Sequence, residues 1–267
     1  MKPIISLLLG ALCATTATTT LADGPLHWQS NSLTYLYGHD YKIDPGIQQT
    51  LTFEHASGWN IGDLFVFVDS IHYNGGRNGA ADERTFYGEI SPRLSFGKLF
   101  DTPLQVGPIK DVLLAMTYEF GEDDVEAYLI GPGFDLDLPG FDYFSLNFYR
   151  RETDGSRPGS GVWQITPVWS YTVPLGRSDL LIDGFMDWVV DNDENRRGSY
   201  QANLHFNPQI KYDLGKALAW GEKQFYVGIE YDYWKNKYGI KDDGFVSRNF
   251  VGKTDQNTAS LLLKAHF

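Results

Sequence analysis

The chain reads as an all-β protein, a 12-stranded antiparallel transmembrane β-barrel, and three observations carry that reading. The closing segment alternates strictly and stops on an aromatic, the opening segment is an apolar leader, and no apolar run between them is long enough to cross a bilayer as a helix. Any membrane residence must then use a closed barrel, because an open sheet would leave unpaired backbone groups in hydrocarbon.

At the amino end, Met1-Lys2 supplies a short positive region, Ile4 to Cys13 an apolar core and Thr20-Leu21-Ala22 a small-x-small cleavage pattern. Residues 1–22 are expected to be a secretory signal and residues 23–267 one outer-membrane barrel domain starting at Asp23. Cys13 is the only cysteine. Leu12 before it is too bulky for a lipidation site, so removal of the leader would leave no disulfide, thiolate metal site or cysteine nucleophile.

Composition agrees with a barrel. Aromatics are 15% of the chain with 28 glycines, yet mean hydropathy is only −0.30, as expected when apolar residues occupy every second position. The net charge of −12 excludes nucleic acid as a partner, since phosphate contacts need Lys and Arg clusters.

Period-two reading divides the chain into segments 31–39, 46–56, 61–72, 84–95, 110–121, 125–136, 141–151, 161–172, 178–190, 199–213, 223–235 and 257–267. An even number of strands places both termini on the periplasmic side. Short turns then fall on that side, at Ser57 to Asn60, Leu138 to Gly140 and Pro174 to Arg177. Longer polar connections fall on the other, at His72 to Glu83, Glu152 to Ser160, Asp191 to Arg197 and Asn236 to Asp255.

Faces follow from the alternation. In the tenth segment Tyr200, Ala202, Leu204, Phe206, Ile210 and Tyr212 oppose Gln201, Asn203, His205, Asn207, Gln209, Lys211 and Asp213. In the last, Ala259, Leu261, Leu263, Ala265 and Phe267 oppose Thr258, Ser260, Leu262, Lys264 and His266. The terminal Phe267, on the apolar face, is the expected address for the barrel-assembly machinery; a terminal edge strand of a soluble β-sandwich is the alternative. The third and ninth segments differ, because their inner face mixes acids with rings: Asp63, Phe65, Phe67 and Asp69, then Asp183, Phe185 and Asp187.

The stretch Tyr87-Gly88-Glu89-Ile90-Ser91-Pro92-Arg93-Leu94-Ser95, followed by Gly107-Pro108-Ile109-Lys110-Asp111, resembles the Tsx-like nucleoside-specific channel family. Trp59 to Asp69 with Asn74-Gly75-Gly76, Gly131 to Pro139, Gly184 to Trp188 and Tyr231-x-Tyr233-Trp234 extend the resemblance over the whole mature chain. It implies a monomeric twelve-stranded barrel with a narrow keyhole pore passing nucleosides and deoxynucleosides passively. The family also includes phage-receptor porins of the OmpK type, which leaves a differently selective porin and a phage-binding role for the outer loops as alternatives.

Such a pore wants flat rings for the base and polar groups for the sugar hydroxyls. Phe65, Phe67, Phe185, Tyr143, Tyr149 and Trp234 are the candidate rings; Asp69, Glu89, Arg93, Asn147, Asp187, Glu230 and Asp232 are their polar partners. The structural alternative is that these side chains fill and rigidify a small barrel, with Arg93 paired to Glu89 or a neighbouring acid. An acidic lumen favours neutral and cationic solutes over nucleotides.

No enzyme is expected. Glu54-His55-Ala56-Ser57-Gly58 carries a His-x-Ser pair like that of outer-membrane phospholipase, but Gly58 replaces the following Asn and the segment falls at a periplasmic turn. His27, His39, His72, His205 and His266 show no metal-ligand spacing, and no Gly-rich phosphate loop leads from a strand into a helix. No cofactor and no metal are therefore expected.

Overall fold

The computed structural model describes residues 24–74, 83–122, 125–155 and 157–267. The expected leader 1–22, Cys13 and the Gly75-Gly76 pair lie outside the described residues. The strands are β1 Leu26–His39, β2 Ile47–Trp59, β3 Gly62–Tyr73, β4 Arg84–Ser95, β5 Ile109–Gly121, β6 Glu126–Leu136 and β7 Tyr143–Thr153. They continue as β8 Val162–Leu175, β9 Ser178–Val189, β10 Asp193–Asn195, β11 Gly198–Tyr200, β12 Asn203–Asp213, β13 Phe225–Lys235 and β14 Gln256–His266. All but β10 and β11 form one closed barrel of twelve strands, and β1 seals it against β14. Closure removes the sheet edge that hydrocarbon would not tolerate.

The wall follows the alternation of the sequence. In β14, Thr258, Ser260, Leu262 and Lys264 are buried inside, while Leu261 is 68% exposed on the outside. The outer surface continues through Tyr35, Leu51, Phe53, Ile90, Ile130, Ile210 and Ile229, all exposed. Such a continuous apolar belt has no place on a soluble monomer. Rings flank it: Tyr37, Tyr128, Trp163 and Trp188 near the loop end, and Phe141, Tyr171 and Trp220 near the turn end, as interfacial girdles require.

Three boundaries depart from the sequence expectation. Strand β1 begins at Leu26, not 31. Strand β2 runs to Trp59, so Ser57 and Gly58 belong to the wall and the tight turn is Asn60-Ile61. The expected segment 199–213 is divided: Gly198–Tyr200 pairs with Asp193–Asn195 as an outer hairpin, and the wall resumes at Asn203. The break arises because the Gln201 N–H donates to the Gly239 carbonyl and the Ala202 N–H to Asn192 Oδ1, which draws both residues into the loops.

Two of the turn-end connections carry one-turn helices, α1 Phe96–Leu99 and α2 Leu214–Ala217. Ser95 caps the first by accepting from the Lys98 N–H, and Asp213 caps the second by accepting from the Lys216 N–H. Glycine is required at the start of β3, where a Cβ on Gly62 would fall 1.8 Å from the Arg93 carbonyl oxygen.

This topology predicts a labelling pattern. A membrane-impermeant thiol reagent on intact cells should reach a cysteine placed at Gly155 or Gly244 and miss one at Gly140 or Gly176. The reverse pattern would mean an inverted barrel. Asn78, which the sequence places between the third and fourth segments, lies outside the described residues.

Candidate functional site

The lumen is built from the inward positions of each strand, and its charges divide into two tiers. In the tier nearer the turns, cations and acids neutralise one another. The Arg93 guanidinium donates to both Asp63 oxygens at 2.8 and 2.6 Å and to Asp135 at 2.9 Å. Lys211 Nζ donates to Asp183 at 2.7 Å, and Lys264 on β14 reaches across β1 to pair with Glu54 on β2. Arg93 thus pairs with Asp63 and Asp135 rather than Glu89. These are buried, hydrogen-bonded pairs that hold the wall together.

Further toward the loops pairs persist, as where the Arg151 guanidinium donates to both Glu119 oxygens at 2.5 Å, but four inward carboxyls stand outside them. Asp69 accepts from the Thr52 hydroxyl at 2.5 Å, and Glu89 from the Tyr87 hydroxyl at 2.7 Å. Asp187 accepts from Thr166 at 2.6 Å and Gln164 at 2.9 Å, and Glu230 from Gln209 at 2.8 Å. Among the described residues none of these four carboxyls has a lysine, arginine or histidine within ion-pair distance. All four lie on the inner face. A small barrel that only needed stability would neutralise them, as it does Asp63 and Asp183.

Rings accompany these acids. Phe65 and Phe67 lie 6.0 Å apart, centroid to centroid, and Phe67 lies 5.8 Å from Tyr87. Phe65 is 39% exposed although it faces inward, so its face is open to the pore. Opposite, Phe185 stands edge-on to His205 at 5.1 Å. This aromatic-plus-acid surface can stack a planar ring and accept hydrogen bonds from hydroxyls beside it.

Not every expected residue joins that surface. The Trp234 face is covered by His205, stacked at 3.9 Å with an interplanar angle of 12°, and Tyr238 meets it edge-on at 5.5 Å. Asp232 is occupied as well, accepting from His205 at 3.1 Å and from Gln256 at 2.9 Å. Tyr149 is buried in the wall with Ala115, Ala127 and Leu129, and Asn147 is buried beside it. Tyr143 stands by Arg93, whose guanidinium carbon is 5.9 Å from its ring centre. Tyr87 and His205 are ring-bearing lumen residues that the sequence reading did not single out. Their inward alternation with Glu89 and Asn207 was the available signal.

At the loop end the Asn236 to Asp255 connection meets the loop between β1 and β2. Lys237 turns inward, donates to Gln256 at 2.9 Å and lies 3.5 Å from Asp44, with its ammonium 5.0 Å from the Tyr238 ring centre and 5.7 Å from that of Tyr41. The Tyr238 hydroxyl donates to Asp44 at 3.0 Å. The longest outer loop is thereby tied to the short loop Asp40–Gly46.

On the outer wall, His55 Nε2 lies 3.0 Å from Ser57 Oγ and His55 Nδ1 lies 2.9 Å from Asn31 Oδ1. This is a serine–histidine–amide chain. Ser57 is fully buried, however, and its oxygen already accepts the Trp59 indole N–H at 2.9 Å.

Known proteins place the chain in context. It is 25% identical over 253 residues to "Outer membrane protein OmpK" of Vibrio parahaemolyticus, covering 89% of this chain and 92% of that protein. The corresponding OmpK of V. parahaemolyticus serotype O3:K6 (strain RIMD 2210633) is 25% identical over 274 residues, with 92% and 95% covered. Among solved structures the NanC porin superposes with a TM-score of 0.51 over 88% of this chain and 98% of that one; at 11% sequence identity this is a likeness of fold. The protein is an outer-membrane barrel of the porin type. Residues 24–267 match the family described as "Nucleoside-specific channel-forming protein, Tsx", so a closed barrel with an acidic, ring-lined lumen is the work of a chain that belongs to that family.

Proposed function

We propose that this channel passes nucleosides and deoxynucleosides by passive diffusion, that it performs no catalysis, and that residues 1–22 are a leader removed on export. The observation that carries the solute reading is the inward set Asp69, Glu89, Asp187 and Glu230, unpaired with any cation among the described residues and set beside Phe65, Phe67 and Phe185. A carboxylate accepts from ribose hydroxyls and a phenyl face stacks a base, while the same charge repels phosphate. A nucleoside is admitted on all three counts and a nucleotide fails on one.

Proteoliposomes carrying the protein should swell faster in adenosine than in AMP or sucrose at equal osmolarity. Equal rates would favour a general porin, which with a phage-binding role for the outer loops is the alternative. The Asn31–His55–Ser57 chain favours a second reading, an ester hydrolase facing lipid on the outer wall. Sealing of Ser57 beneath Trp59 weighs against it, because a nucleophile must meet its substrate.

A further inference from the structure

Two stretches of the wall on opposite sides of the pore, β2 to β5 and β8 to β13, match one another in several features. Counting round the wall, β4 and β5 stand six strands from β12 and β13, diametrically opposite. The connections at these two places are built alike. Ser95 and Asp213 are the caps, Gly97 and Gly215 follow at the same step, and Lys98 and Lys216 donate the capping N–H. Asp101 and Ala219, at matching steps, are both left-handed, at φ 47° and 57°.

Carried up the strands by register, the match reaches the lumen. Two residues before each cap stands a cation, Arg93 in one half and Lys211 in the other, each bonded to an acid of the preceding inner face. Ladder pairing sets Arg93 opposite Asp63 and Lys211 opposite Leu181. That registration superposes Phe67-Val68-Asp69 on Phe185-Met186-Asp187 with no insertion. The next strands agree independently, since Thr52 bonds Asp69 Oδ1 at 2.5 Å and Thr166 bonds Asp187 Oδ1 at 2.6 Å. Ring contacts agree as well: Phe67 meets Tyr87 at 5.8 Å, and Phe185 meets His205, the corresponding residue, at 5.1 Å.

Most paired positions are chemically unlike, Phe65 against Asp183 and Glu89 against Asn207 among them. What both halves keep is a neutralised cation near the turns and, above it, a threonine–carboxylate–phenyl unit with no cation. In both units one carboxylate oxygen is fixed by the threonine, and Oδ2 receives no hydrogen bond from the described residues. A fixed acceptor beside a ring is complementary to a flat heterocycle bearing a hydroxyl donor.

We propose that Thr52/Phe67/Asp69 and Thr166/Phe185/Asp187 are two equivalent half-sites facing each other across the pore, each able to hold one uncharged, hydroxyl-bearing planar solute. The solute class rests on the nucleoside reading above; the equivalence of the halves does not. Two alternative sites at one level let a solute change sides as it passes, each holding it as strongly as the other.

Two measurements on the purified protein in planar bilayers test this. For adenosine block of the current, Phe67→Ala and Phe185→Ala should each raise the half-blocking concentration about two-fold, as loss of one of two equal sites does. The double variant should raise it roughly ten-fold or more, the loss expected for a stacked base. A single variant as severe as the double, or a double no worse than the singles, overturns the proposal. For cation-over-anion permeability in a KCl gradient, Asp69→Asn and Asp187→Asn, which keep shape and the threonine contact, should lower the ratio by factors within two-fold of each other. An effect confined to one of them overturns the equivalence. If adenosine fails to block the unmodified protein, the nucleoside reading falls and the KCl comparison still decides whether the halves are alike.

Discussion

Replacing Arg93 by Ala should destabilise the barrel by about 3–5 kcal/mol, the range for removing one partner of a buried ion pair. The guanidinium is held by both oxygens of Asp63 and by Asp135, bridging β3, β4 and β6 around the inner wall. Its loss strands two carboxylates in a confined lumen with no other cation bonded to them among the described residues. Urea unfolding in detergent micelles measures the loss, and the triple variant R93M/D63N/D135N should recover most of it, because no unpaired charge then remains. A wild-type midpoint for Arg93→Ala alone would show that the bridge is incidental. A matching loss in nucleoside flux with unchanged stability would place Arg93 on the solute path.

An equally large effect is expected on the opposite face of the wall. Leu261 sits at the middle of β14 with its side chain outward. Arginine there should lower stability by roughly 2–4 kcal/mol in lipid, the range found near a bilayer midplane. Vesicle unfolding titrations report it directly, with Leu261→Ser as the milder control. A soluble β-sandwich would accept Leu261→Arg on an exposed strand almost without change, so a neutral result would count against membrane residence.

Legibility in the sequence followed period. Strands β13 and β14 were readable because apolar and polar residues alternate along most of their length, whereas β3 and β9, whose inner faces mix acids with rings, were bounded by their turns. Strand β1 was shortened in the reading, since Leu26, His27 and Trp28 do not alternate cleanly in polarity. Segment 199–213 was overrun because Tyr200 and Ala202 keep the period, while Tyr200 pairs with Asp193 in the outer hairpin and the Gln201 and Ala202 N–H groups bond to loops.

The site was legible in composition and hidden in pairing. Acids alternating with rings in the third and ninth segments identified Phe67, Asp69, Phe185 and Asp187 as one kind of surface. Which acids are neutralised could not be read, because the partners are remote in the chain: Asp135 lies 42 residues from Arg93, and Lys264 lies 210 from Glu54. Covering of Trp234 by His205 was hidden for the same reason, as the two meet only across the β12–β13 ladder. The match between the two stretches of wall was also invisible to residue identity. It emerges from register, which fixes what faces what.

The central claim is that the acidic, ring-lined lumen is itself a selective path for nucleosides. Single-channel current through the purified protein, recorded while adenosine is titrated in, tests it most directly. Adenosine should interrupt the current at micromolar concentration and in a saturable way, while AMP interrupts it far more weakly and sucrose at the same concentrations not at all. Equal insensitivity to adenosine and sucrose, from a channel that conducts small ions normally, would contradict it.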